Sequence, residues 1–158
     1  MRSILNFVVP ILVAAVAAPP LHAQEQAIEL TGDIQVERIV TEENGESAVQ
    51  RVAPQRVVPG DRLIFGTDYK NTSAETVENF VVTNPLPSSV RLASDSGAEM
   101  TVSVDGGENW GTLAALTIAG EDGVARPAEH GDVTHVRWTL NSVAPGESGR
   151  LEFPAIVR

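Results

Sequence analysis

A trio of polar residues near the C-terminal end has the side chains best suited to metal binding or acid–base catalysis. It consists of His130, Asp132 and His135. Metalloprotease histidines lie one helical turn apart, whereas His130 falls in a predicted loop and His135 in a predicted strand. His135 shares strand parity with Arg137, opposite Trp138, which predicts a solvent-facing side chain. We therefore assign no catalytic residue, and a hydrolase remains the weaker alternative.

A second motif precedes this trio. Ser103, Asp105, Gly107 and Trp110 form the pattern Ser-x-Asp-x-Gly-x-x-Trp, which resembles the Asp-box hairpin of sialidases and other secreted β proteins. The carboxylate is expected to accept backbone N–H groups across the turn, while the glycines supply positive φ angles and the tryptophan packs back on the strand. In sialidases the motif lies away from the catalytic centre. We therefore predict a structural turn.

Oxygen-bearing side chains around this turn raise a further hypothesis, the binding of calcium or carbohydrate. They are Asp95, Glu99, Asp105, Glu108 and Asn109. Their spacing does not fit the EF-hand loop, so a solvated acidic loop is the preferred interpretation. We assign no metal-ligating residue and no cofactor. A carbohydrate- or calcium-binding module that uses the loops around Asp95 and Asp105–Trp110 stays open as an alternative.

The composition excludes several function classes. The chain has 158 residues, a net charge of -10, 42% hydrophobic residues, 4% aromatic residues and no cysteine. Disulfides, thiolate metal sites and cysteine nucleophiles are therefore excluded. Because so acidic a chain, with Lys70 as its one lysine, is repelled by phosphate backbones and anionic lipids, we expect no nucleic-acid partner and no binding to a membrane surface.

The first residues have the features of an export signal. Arg2 precedes an apolar stretch from Ile4 to Ala18, and Leu21-His22-Ala23 ends in a small residue. This pattern predicts a secretory signal peptide over residues 1–23, cleaved after Ala23, with an uncleaved signal anchor as the alternative. We therefore expect a secreted or periplasmic protein, or one associated with the cell surface, with no stable membrane span after cleavage.

The remaining chain alternates with the period of β-strands. Ile28, Leu30, Ile34, Val36 and Val40 share one phase, which predicts a long strand with one face on a core. Asn44-Gly45 predicts a tight hairpin with a return strand from Ser47 to Val52. Further strands are predicted at 63–70, 78–83, 90–92, 100–104, 136–140 and 151–157, and the run 113–119 is ambiguous between helix and strand. An all-β antiparallel sandwich of about 7–9 strands follows.

Several segments carry a resemblance to a known family. Val58-Pro59-Gly60-Asp61, Tyr69-Lys70-Asn71-Thr72-Ser73, Val81-Val82-Thr83-Asn84 with Leu86-Pro87, and residues 143–149 resemble the conserved repeat domain of bacterial surface proteins, catalogued as domain of unknown function eleven. The resemblance covers about Gln55 to Arg158. It implies an immunoglobulin-like sandwich in an exported or cell-surface protein, without a catalytic role. The family commonly has Asp where this chain has Asn84.

The sequence thus divides into a signal peptide (1–23), an N-terminal strand and hairpin (24–54) and an immunoglobulin-like conserved repeat domain (55–158). We expect a non-catalytic exported module with a structural or protein-interaction role at the cell surface or in the periplasm. The expected partner is another cell-envelope or surface protein. It would bind at the sheet edge formed by Ile28 to Val52, through strand addition or loop contacts.

Overall fold

The computed structural model describes residues 27–97, 100–120 and 123–158. The predicted signal peptide, residues 1–23, lies outside the described residues, as do Glu99 and residues 24–26. The described strands are β1 (Ile28–Thr41), β2 (Ser47–Val52), β3 (Arg62–Asn71), β4 (Val77–Pro85), β5 (Val90–Leu92), β6 (Thr101–Ser103), β7 (Thr117–Ala119), β8 (Ala125–Pro127), β9 (His135–Val143) and β10 (Ser148–Val157). A single turn of 3₁₀ helix spans Leu113–Ala115.

The strands form two main antiparallel sheets. The large sheet has the order β2-β1-β3-β10-β5, the small sheet has the order β4-β9-β6, and β7 and β8 form a separate pair. The two main sheets together contain eight strands, which confirms the predicted all-β sandwich. No helix in the described part of the chain is long and apolar enough to cross a membrane.

The core lies between the inner faces of the two sheets. Phe153 of β10 is fully buried, stacks on Phe65 of β3 with ring centroids 5.0 Å apart, and meets Trp138 of β9 at 6.0 Å. Val36 of β1 and Val82 of β4 complete this cluster from the neighbouring strands. Such close packing of large side chains from both layers supplies the main stabilisation of a chain without disulfides.

The predicted hairpin is present, with Gly45 at φ +85° in its turn. β1 pairs with β3 from Ile28–Asn71 to Val36–Leu63, so the predicted segments 24–54 and 55–158 share one sheet. β2 forms the edge of that sheet.

One expectation for β1 is wrong. Its alternating apolar residues do not all face a core, because Ile28 and Val36 are buried while Leu30 and Ile34 are 45% and 42% exposed. The small sheet has three strands against five, and the exposure of these two side chains shows that it does not cover the middle of β1.

The ambiguous run 113–119 contains both kinds of structure. After the 3₁₀ turn Leu113–Ala115 and the single residue Leu116, β7 begins at Thr117 and pairs with β8. β8, a strand of three residues that ends at Pro127, was not predicted from the sequence.

Candidate functional site

The turn after β6 is built around the carboxylate of Asp105. Its Oδ1 accepts hydrogen bonds from the Asn109 N–H (2.9 Å), the Glu108 N–H (3.1 Å) and the Ser103 hydroxyl (2.7 Å), and its Oδ2 accepts one from Asn109 Nδ2 (2.7 Å). These donors, with the Asn109 N–H first, lower the pKa of Asp105 to about 2. Both oxygens are engaged within the turn, which confirms the predicted turn geometry.

The backbone and tryptophan of this motif also match the prediction. Gly106 and Gly107 have φ of +79° and +96°, a conformation that glycine adopts without steric cost. Trp110 folds back so that its Nε1 donates to the Gly107 carbonyl at 2.8 Å. The indole N–H is therefore also used inside the turn.

Trp110 lies on the outer face of the small sheet, under an arginine. The guanidinium carbon of Arg137 is 3.5 Å from the ring centroid, and Arg137 Nε donates to Thr83 Oγ1 at 3.2 Å. His135, on the same side of β9 as Arg137, meets the indole edge-on with centroids 6.2 Å apart. The solvent-side placement expected for His135 is therefore present, and a sugar ring could stack on that face of Trp110 only if Arg137 moved away.

The other members of the polar trio contact different partners. Asp132 accepts two hydrogen bonds from Arg126, at 2.8 and 2.9 Å, and one from the Glu129 N–H at 2.8 Å. Arg126 is the main cause of the lowered pKa of Asp132. His135 Nδ1 lies 3.1 Å from Thr134 Oγ1. Asp132 is thus held in an ion pair and is not bonded to either histidine.

His130 lines a separate cavity of about 200 Å³ together with Leu92, Met100 and Leu113. Within residues 27–97, 100–120 and 123–158, no group of three or more His, Asp or Glu side chains is arranged to hold a metal ion. Asp95, one of the candidate calcium ligands, forms a two-pronged ion pair with Arg62, with both distances 2.9 Å.

The outer face of the large sheet carries an ion-pair network that the residue pattern did not predict. At its centre, Arg150 of β10 contacts Asp33 of β1 (2.6 Å), Asp68 of β3 (2.9 Å) and Glu152 of β10 (2.6 Å). These contacts raise the pKa of Arg150, and Arg150 in turn is the main cause of the lowered pKa of Glu152. Acidic and basic residues at alternate positions of these strands indicate a charged face. Which residues pair with one another depends on the register between neighbouring strands, which the pattern does not give.

The same network continues toward the edge strand β2. Arg51 contacts Glu152 at 2.9 Å and Glu37 at 3.2 Å, and Glu37 contacts Arg62 at 2.8 Å. Charges from four neighbouring strands are thus paired with one another, so this face presents compensated rather than free charge.

Beside β4 the inner face of the large sheet is open. A groove of about 290 Å³ is lined by Gly32, Ile34, Phe65, Thr67, Asn84 and Pro85, among others. Asn84 bridges the two sheets there, since its Nδ2 donates to Thr67 Oγ1 at 2.8 Å. Among the described strands, β4 pairs only with β9, so its other edge adjoins the uncovered part of β1.

The fold and these surfaces define the class of the molecule as an antiparallel two-sheet β-sandwich whose N-terminal hairpin extends beyond the smaller sheet. Compared with known proteins, the chain matches no protein-family model, no curated protein and no solved structure.

Proposed function

We propose that the protein is an exported, non-catalytic β-sandwich module that binds another cell-envelope or surface protein. The observation that carries the proposal is the uncovered inner face of β1, where Leu30 and Ile34 remain 45% and 42% exposed and Ile34 lines a groove with Asn84 and Pro85 of β4. We name this surface the overhang. The proposed export of the protein rests on the signal-peptide pattern of residues 1–23. The resemblance of residues 55–158 to the conserved repeat domain of surface proteins supports the same compartment.

The overhang has the properties of a receptor for one additional strand. In the part of the chain that the structure describes, β4 has a strand partner on one side only, β9. A strand added on its other side would extend the small sheet over Leu30 and Ile34. Leu30 and Ile34 lie on the same face of β1 four residues apart, with Gly32 between them, so they would meet side chains about four residues apart on one face of the added strand. Burial of two half-exposed aliphatic side chains adds a hydrophobic contribution to the backbone hydrogen bonds.

The charge of the chain specifies the partner segment further. With a net charge of -10, the protein attracts basic segments and repels acidic ones. The proposed ligand is therefore an extended segment of an envelope or surface protein, with apolar residues at alternate positions and basic residues at its ends.

A peptide titration tests the binding surface. The probe is a nine-residue peptide of alternating valine and threonine with lysines at both ends, compared with a version that has a central proline, which cannot complete the strand ladder. We expect the first peptide to bind at least about tenfold more tightly. The double variant Leu30→Thr/Ile34→Thr should lose this preference, while Val49→Thr on the other face of the hairpin should keep it. Equal binding of both peptides would overturn the assignment.

Export is tested separately in the native host. Cell fractionation followed by N-terminal sequencing should find the protein outside the cytoplasm, beginning at Gln24. Full-length protein confined to the cytoplasm would contradict the export part of the proposal.

A further inference from the structure

The edge strand β2 lacks the features that usually keep sheet edges from pairing. In the described part of the chain it pairs with β1 alone, through six continuous residue pairs without a bulge. The strand contains no proline, and its one charged residue, Arg51, is engaged by Glu37 and Glu152. Natural edges are commonly protected by prolines, bulges or free lysines. β2 is therefore open to another strand.

An exposed apolar pair lies at this edge. Ile39 of β1 and Val49 of β2 are direct cross-strand partners, and they are 79% and 66% exposed. By strand parity they share the outer face with Glu37 and Arg51, so they are distinct from the overhang on the inner face. A further strand that covered these two exposed aliphatic side chains would bury their apolar surface and so lower the free energy of the assembly.

A second copy of the same chain fits this edge by symmetry. An antiparallel pairing of β2 with β2, with its two-fold axis at Val49, places Val49 against its own symmetry mate and Ser47 opposite Arg51. The apolar pair then becomes a row of four side chains across four strands, spaced about 4.8 Å apart. The two large sheets would join into one ten-stranded sheet.

The charges at the ends of β2 complement one another in the same register. The hairpin turn carries Glu42, Glu43 and Glu46, which are all exposed. Counting from Val49, Glu46 of one copy lies opposite Val52 of the other, at the end of β2. The rest of the turn folds back toward β1, since the Glu42 N–H donates to the Glu46 carbonyl at 2.8 Å. The acidic turn of one copy therefore faces the end of β2 in the other copy, which is followed by the exposed Arg56. Two-fold symmetry repeats the contact at the opposite end. Salt at physiological concentration, with a Debye length of about 8 Å, screens the long-range repulsion between two acidic copies more than these close contacts.

We propose that this protein forms a two-fold symmetric dimer through antiparallel β2–β2 pairing centred on Val49. The self-complementary arrangement of an apolar centre with acidic and basic ends selects a second copy over an unrelated strand. The dimer edge and the overhang use opposite faces of the hairpin, so the two proposals do not depend on each other.

Sedimentation equilibrium of the purified chain tests the dimer at about 0.15 M salt. We expect a monomer–dimer equilibrium within a protein concentration range of about 1 to 500 μM. Val49→Lys should weaken association at least about tenfold, whereas Val81→Lys, the same change at an exposed position of β4, should leave it unchanged. A monomer over the whole range, or equal sensitivity to both variants, would overturn the proposal.

Disulfide cross-linking tests the register of the β2–β2 pairing. The chain contains no cysteine of its own, so any cross-link must form between introduced cysteines. Single cysteines are placed in turn at positions 47 to 52 and oxidised under mild conditions. Val49→Cys should give the highest yield of disulfide-linked dimer, since only the residue on the axis faces its own copy. Unchanged circular dichroism and melting temperature exclude misfolding as the cause of any difference. A maximum at another position, or uniform yields, would contradict the proposed register, and the peptide titration remains interpretable in either case.

Discussion

The guanidinium of Arg150 lies directly over Gly66, and a Cβ atom on that glycine would overlap it. Gly66 is paired with Asp33 of β1 on one side and with Glu152 of β10 on the other. The missing side chain thus leaves a path along which Arg150 crosses β3 to reach Asp33 at 2.6 Å. A glycine, usually unfavourable within a strand, is here required by the charge network of the outer face.

Replacement of this glycine should therefore disturb the network. Gly66→Ala forces the Arg150 side chain away from Asp33 and Asp68, and we expect a loss of about 1 kcal/mol of folding free energy, measured by urea denaturation. Gly32→Ala is the control, because its Cβ would meet only the Gly66 carbonyl at 3.8 Å; it should be neutral or stabilising by about 0.5–1 kcal/mol.

A double-mutant cycle separates the steric effect from strand propensity. In an Arg150→Ala background most of the cost of Gly66→Ala should disappear. Asp33 Oδ1 then remains the near atom above the glycine, 2.5 Å from the added Cβ, and without Arg150 no ion pair holds the Asp33 side chain there. If Gly66→Ala costs the same with and without Arg150, the guanidinium is not the reason for the glycine.

A fully buried asparagine, Asn71, fixes the end of β3. Its Nδ2 donates to the carbonyls of Val143 and Glu75, both at 2.8 Å, and its Oδ1 accepts from the N–H and hydroxyl of Ser73. Asn71→Ala removes all these bonds and leaves the carbonyl of the fully buried Val143 without its side-chain donor, so we expect a loss of about 2–4 kcal/mol in denaturant unfolding.

Asn84 provides the comparison, because it makes one such bond, to Thr67. Asn84→Ala should cost about 1 kcal/mol. Equal losses for the two variants would show that the bonds of Asn71 are not what makes it important.

Local features of the fold followed from the sequence, and the features that depend on strand pairing did not. The Asn44-Gly45 hairpin and the Asp105 turn were predictable because each is determined by residues within a few positions of one another. The contact between Arg51 and Glu152 joins residues 101 positions apart. Only the order β2-β1-β3-β10 brings them to one face, and residue types alone do not specify that order.

The burial of side chains along β1 also depends on strand pairing and could not be predicted from the alternating pattern alone. Leu30 and Val36 have the same parity and similar hydrophobicity, yet only Val36 is in the core. The difference arises from the width of the opposite sheet, which is set by long-range pairing of β4, β6 and β9. Likewise, the parity of His135 was predictable, but its contact with Trp110 was not, because the indole reaches β9 from a different hairpin.

The stacking of Arg137 on Trp110 gives a fluorescence prediction. Arg137→Met keeps the length of the side chain and removes its charge, so we expect about 0.5–1 kcal/mol of destabilisation. Acrylamide should also quench Trp110 more strongly, because the less tightly held methionine exposes the ring. Trp138 is buried and contributes little to quenching. Arg91→Met on β5 is the matched control, and an equal rise in quenching for both variants would contradict the contact.

Asp105 gives the protein a component of acid sensitivity. Its pKa is about 2 in the folded protein, against an ordinary value of 3.8, because the charged carboxylate accepts the turn's hydrogen bonds. A lowered folded-state pKa means that its stabilising effect is complete above about pH 4 and is lost as the pH falls toward 2. Asp105→Asn cannot gain or lose this proton. The variant should therefore melt at a lower temperature than the wild type at pH 7, and the difference should shrink progressively between pH 4 and 2.

The control for this pH dependence is Glu108→Gln. This change removes a negative charge from the same turn but keeps the backbone N–H of residue 108, which donates a hydrogen bond to Asp105 Oδ1. Thermal melts followed by circular dichroism, at intervals from pH 7 to 2, compare all three proteins. Other carboxylates with lowered pKa, such as Asp61 and Asp132, affect the wild type and both variants alike, so the differences isolate the turn. A constant difference between Asp105→Asn and the wild type over the whole range would show that the carboxylate charge does not stabilise this turn.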